Sequence, residues 1–184
     1  MPAKKRITRE RILEAAVDVV RQSGLNSLNT TTLTEKLNCS TQPVYLSFKN
    51  MEELKDAVRK QIFIIYKSFL SRELASGKYP DYKAYGMGYI RFAAEEKELF
   101  KLTFMTKKSL SVEDDTLDGI YETIMRNTGL DEEKAQLFHL ESWVFVHGIA
   151  TMLATDSFAF SEELISLLLK DMYEGLKYSF GVIK

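Results

Sequence analysis

Six side chains that can exchange hydrogen bonds with a nucleobase or a phosphate fall within ten residues: Ser40, Thr41, Gln42, Tyr45, Ser47 and Lys49. A Gln amide carries a donor and an acceptor side by side and can pair bidentately with adenine. Ser and Thr hydroxyls can bond base edges or phosphate oxygens. Between these polar groups, Pro43 and Leu46 offer carbon to a thymine methyl. Thr30, ten residues before Ser40, adds another hydroxyl. Lys49 fits two roles, a phosphate contact or a solvated turn residue. Such a set reads a base sequence only if one short element carries it into a groove.

Residues 30–50 supply that element. Leu33 and Leu37 are four apart, and Val44 and Phe48 repeat the spacing, which predicts two short helices. The break between them is Asn38-Cys39-Ser40. Asn tolerates the left-handed conformation that ends a helix, and Ser accepts from the free N–H groups that open one. Thr32 and Glu35 match a capping box for the first helix. Pro43 falls in the first turn of the second, where its missing N–H costs little. Two short helices and a tight turn make a helix-turn-helix, whose second helix enters a major groove. Upstream, Thr8 caps a helix with Ile12, Ala16, Val19 and Val20 on its buried stripe, and Ser23-Gly24 ends it. Together these form a three-helix head. Cys39 reads as a small hydrophobe in the turn in preference to a thiol sensor.

The order Leu33, Leu37, Ser40, Val44, Tyr45, Phe48 and Leu54 resembles the helix-turn-helix of the TetR family of transcriptional repressors. The likeness is specific over about residues 8 to 58. The chain departs from the pattern at Asn38, Cys39, Gln42-Pro43, Ser47 and Met51. The resemblance implies a cytoplasmic, bacterial DNA-binding repressor. It implies a dimer on a palindromic operator, released by a small-molecule effector.

Charge agrees with a head that meets phosphate. Residues 1–50 hold eight Lys/Arg and four Asp/Glu, so +4; the remainder holds 17 and 22, so −5. A segment this short also reaches such an imbalance by chance. Lys4-Lys5-Arg6 is a basic arm that either meets DNA or simply solubilises. One cysteine excludes an intrachain disulfide. No apolar run approaches the roughly 20 residues of a membrane span, and the basic N-terminus lacks the apolar stretch of a signal peptide.

Beyond the head, helical spacing continues. Leu54, Val58, Ile62, Ile65 and Phe69 predict a long fourth helix opened by an Asn50/Glu53 capping box and ended before Ser76-Gly77-Lys78-Tyr79-Pro80. Five more helices follow, the last two spanning 131–155 and 161–179. The expected fold is all-α with about nine helices: a DNA-binding domain at 1–50 and an effector-binding and dimerisation domain at 51–184. Trp143, His147 and Gly148 resemble the Trp-His-Gly type of TetR C-terminal domain. The resemblance pairs the eighth and ninth helices with their copies in a homodimer, and both carry surplus apolar surface.

The body is rich in aromatic and Met side chains, which suit either ordinary core or a pocket for an apolar or aromatic effector. With the resemblance, the candidates are Tyr89, Phe92, Phe104, Tyr121, Met125, Trp143 and His147. His139 and His147 have no Cys/His companions, so neither a metal nor a cofactor is expected. The sequence lacks a Gly-rich phosphate loop and a nucleophile elbow, which argues against an enzyme. The rival reading is a helical protein–protein interaction module whose head no longer binds DNA.

Overall fold

Thr8 opens the first helix as the spacing predicts, its Oγ1 accepting from the Arg11 N–H at 3.2 Å. In the computed structural model, which describes residues 7–106 and 115–183, α1 runs Arg9–Ser23 and buries Ile12, Ala16, Val19 and Val20. Gly24 ends it at φ 74, ψ 169. That is not the left-handed helical cap expected but an extended positive-φ region that only Gly occupies readily. A single 3-10 turn, Leu25–Ser27, leads to α2, Thr30–Leu37. Its capping box is Asn29 with Thr32, not Thr32 with Glu35, because the helix starts three residues earlier than the box at Thr32 requires. Asn38 takes the left-handed conformation, φ 49, ψ 54. The N–H of Cys39 reaches the Thr34 carbonyl and that of Asn38 the Glu35 carbonyl, both at 3.1 Å, which completes a Schellman closure.

The second helix of the pair, α3, is Gln42–Ser47 with Pro43 in its first turn. The expected Ser40 cap is absent: Thr41 occupies the cap position in helical conformation, and no side chain caps α3. Val44 and Phe48 are both buried. Phe48 stands just beyond the helix in extended conformation, so the two apolar anchors bracket its end.

The long helix α4 spans Met51–Ser76, about 39 Å at 1.5 Å per residue. Asn50 Oδ1 accepts from the Glu53 N–H at 2.9 Å. Glu53 reaches back one residue further than a simple box, to the Lys49 N–H at 2.7 Å. Then come α5 (Asp81–Glu95), α6 (Lys97–Phe104), α7 (Asp115–Thr128), α8 (Glu132–Ala154) and α9 (Glu162–Ser179). Among the described residues there are nine α-helices and no strand, the all-α architecture that the spacing predicts. The basic arm at 4–6 and most of the polar stretch 106–115 lie outside the described residues.

Two compact units divide the chain: residues 1–65 with 98–110, and 66–97 with 111–184. In the first, α1 packs on α2 and α3. In the second, α8 is the central helix, packed against α5, α7 and α9. Gly88 lets α5 approach the end of α4. A Cβ there would stand 3.0 Å from Leu70 Cα and 3.1 Å from the Phe69 carbonyl oxygen. Buried Glu73 forms an ion pair with Arg91, whose Nε lies 2.7 Å away, and Arg91 also reaches Glu162 at the start of α9. By length and composition, α8 is long and apolar enough to cross a membrane. Gln136, His139, Glu141 and His147 interrupt its apolar run.

Candidate nucleic-acid interface and effector site

The six-residue α3 is too short to hold a helical shape alone, so its neighbours position it. Val44 and Phe48 anchor one face. The opposite face carries Gln42, Tyr45 and Leu46, all exposed, with Leu46 79% accessible. Ser40, Thr41 and Lys49 are also exposed, while Thr30, Pro43 and Ser47 are half-buried. Thr30 Oγ1 and the Tyr45 hydroxyl lie 3.0 Å apart, joining the start of α2 to the middle of α3. The nine proposed DNA-contacting residues therefore fall on one short helix, its flanks and the opening of α2.

Much of the positive charge of the first unit is ion-paired. Arg11 contacts Glu14 at 3.2 Å, Arg21 contacts Asp18 at 2.6 Å, Lys55 contacts Glu52 at 2.9 Å and Arg59 contacts Asp56 at 2.7 Å. Exposed pairs of this kind are worth at most about 1 kcal/mol each, so a phosphate can displace the carboxylate. Sequence reasoning passed over Arg9. It hydrogen-bonds the Ser47 carbonyl and Glu53, and its guanidinium lies 3.9 Å from the centre of the Phe48 ring. No local signal marks a partnership between residues 38 and 44 positions apart.

In the second unit, Tyr89, Trp143 and His147 come together. The Tyr89 hydroxyl is 2.8 Å from His147 Nδ1, and the Trp143 ring stacks on His147 at 4.9 Å and 21°. Burial pushes the Tyr89 phenol well above its usual range, with the Tyr66 hydroxyl adding to the shift and a hydrogen bond from Trp143 opposing it. Burial also lowers the His147 imidazole. Both groups are thus held neutral. Tyr66, on α4, meets Tyr89 edge-on at 6.0 Å and lies 5.5 Å from Phe92. It belongs with this group and was not singled out by spacing.

Tyr121 and Met125 sit elsewhere in the unit. Tyr121 meets His139 at 5.6 Å, and Met125 packs on the cluster around Ile124 and Phe138. The Tyr82 hydroxyl is 3.3 Å from His139 Nδ1, and burial lowers that imidazole to about 4. Phe104 belongs to the first unit, beside Phe100 at 5.4 Å. The seven candidate effector residues therefore form no single cluster. A pocket of about 200 Å³ lined by Ala94, Lys97, Leu153, Asp156, Phe158 and Ala159 includes none of them. Among the described residues no group of three His, Cys, Asp or Glu side chains could hold a metal ion.

Residues 82–172 match the family described as the tetracyclin repressor-like C-terminal domain. Over that span the chain belongs to the TetR family. Solved structures of similar shape agree with this assignment. A protein assigned to the TetR family of transcriptional regulators, from Vibrio parahaemolyticus, superposes with a TM-score of 0.63 at 16% identity, covering 91% of this chain and 97% of that one. A TetR-like transcriptional regulator from Rhodococcus sp. RHA1 gives 0.66 at 18% identity, covering 98% and 100%. A second Rhodococcus sp. RHA1 protein, of unknown function, gives 0.74 at 16% identity, covering 97% and 98%. No curated protein matches the chain. At these identities the structures speak for the fold alone.

Proposed function

We propose that this TetR-family chain represses transcription in the cytoplasm, binding a palindromic operator as a homodimer and releasing it when a small apolar or aromatic effector binds. The observation that carries the reading is the exposed face of α3, where Gln42, Tyr45 and Leu46 protrude while Val44 and Phe48 hold the helix to the head. Functionally we divide the chain at residue 50, DNA contact before it and effector binding and dimerisation after it.

Dimerisation is supported by an uncovered stripe. Leu137, Leu140, Val144 and Met152 recur at helical spacing on α8, and Leu164, Leu167 and Tyr178 on α9, all exposed. Within the two stripes, Gly148 and Gly175 have nothing within 4 Å of a built Cβ, leaving room for a close second helix. Palindromic readout calls for such a two-fold axis. For the effector, the neutral group Tyr89, Trp143 and His147 offers a stacking surface and hydrogen-bonding atoms, consistent with the Trp-His-Gly type of C-terminal domain. Effector and DNA are linked through α4, which continues from the first unit into the second without a break.

The test is selection of duplexes from a random pool, followed by binding as a function of salt. Salt-dependent preference for a palindrome is expected. Binding to no duplex favours the interaction-module reading, which the ion-paired bases of the head also fit. For any effector found by thermal-shift screening, calorimetry with and without operator should give different affinities, since linkage is reciprocal. Equal affinities leave a regulator controlled by abundance alone.

A further inference from the structure

We propose that Arg9 is a positioning residue for base readout: it pins the C-terminal end of α3 to α1 and α4, and so sets the angle at which Gln42 and Leu46 meet the groove. The inference rests on the DNA-binding reading above. It begins from a weakness in α3. A helix of six residues leaves its last carbonyls without intrahelical partners, and here the chain turns extended at once at Phe48. Three consecutive residues at that exit are tied to one pair of side chains. The Arg9 guanidinium donates to the Ser47 carbonyl. It also lies over the ring of Phe48, itself only 1% exposed. Glu53, which Arg9 contacts at 3.3 Å, accepts from the Lys49 N–H at 2.7 Å. Arg9 is the first residue of α1, and Glu53 lies in the first turn of α4. The recognition helix is therefore clamped between the starts of two longer helices.

Only the planar fork of a guanidinium can stack on Phe48 while donating to a carbonyl and a carboxylate; a Lys ammonium keeps the charge but not the geometry. That difference supplies the test. Full-length wild type, Arg9→Lys and Arg9→Gln are titrated with the palindromic duplex that the wild type enriches and with a scrambled duplex. Both variants should lose about tenfold in the ratio of specific to scrambled affinity, within the discrimination that one or two base contacts supply. Arg9→Lys should keep its affinity for the scrambled duplex and its salt slope. In the DNA-free protein, hydrogen exchange at the Lys49 amide should quicken in both variants.

An unchanged ratio in Arg9→Lys overturns the inference. So does an equal loss on both duplexes with a salt slope flatter by about one unit, which marks Arg9 as a phosphate contact instead. A Lys49 amide that exchanges at the wild-type rate overturns it as well. If the wild type enriches no duplex, the DNA reading fails and this inference fails with it, whereas a variant that reads like wild type refutes the inference alone.

Discussion

The Tyr45 hydroxyl stands 3.0 Å from Thr30 Oγ1, so one hydrogen bond joins the opening of α2 to the exposed face of α3. Both groups are accessible, and a phosphate oxygen can join the pair without breaking it. Tyr45→Phe should cost at most about 1.5 kcal/mol of stability, the ordinary worth of one hydrogen bond. It should weaken specific and random duplexes alike. Urea denaturation and fluorescence anisotropy measure the two effects, and a loss confined to the specific duplex would move Tyr45 to base readout.

Gln42 and Lys49 should divide the remaining work. Gln42→Ala is expected to cost roughly 1–3 kcal/mol on the preferred duplex and little on random sequence. Lys49→Ala should weaken every duplex and flatten the salt slope by about one unit. Competition titrations at several salt concentrations separate these outcomes. Equal losses for Gln42→Ala on both duplexes would remove it from base readout.

The α8–α9 stripe makes a prediction about assembly in which two substitutions by Arg behave oppositely. Val144 is 59% exposed in the protomer, so Val144→Arg should leave the fold intact and give a monomer by sedimentation. Gly148→Phe should do the same, since open space surrounds that position within the protomer. Leu176 packs on the Phe138 cluster, and Leu176→Arg should instead unfold the second unit. A Val144→Arg protein with wild-type mass would place the interface elsewhere.

His139 makes stability depend on pH. Its imidazole is held neutral by burial, with a folded value of about 4 against an ordinary 6.5. Between those values the unfolded chain binds a proton that the folded one does not, so stability falls as pH drops from 6.5 toward 4. The contribution reaches about 3 kcal/mol at the lower end. Denaturant titrations at pH 7 and pH 4.5 should show the loss in wild type, and a smaller loss in His139→Gln. Parallel behaviour of the two proteins would assign the acid sensitivity to other groups.

How legible this molecule was depended on sequence distance. Leu54, Val58 and Ile62 declare α4 because neighbours four apart share a face, and all three are fully buried. Asn38 ended α2 where expected, because its left-handed tolerance is a property of one residue. The start of α2 misled, since Asn29-x-x-Thr32 and Thr32-x-x-Glu35 both satisfy a capping pattern and only the packed head chooses between them. Arg9 gave no warning, because its partners lie 38 to 44 residues away. The aromatic candidates of the body were right in kind but unsorted by spacing. Tyr89 meets His147 across 58 residues, while Phe104 falls in the other unit.

Trp143 is the chain's single tryptophan, and it lies face to face with His147. Its emission is therefore that of one site. An imidazolium quenches a stacked indole far more than a neutral imidazole does, so the protein's fluorescence reads the charge of His147 directly. An aromatic molecule that displaces the ring, or a second copy that covers the neighbouring stripe, changes the same signal. The protein carries its own optical probe between the two surfaces on which its regulation is proposed to depend.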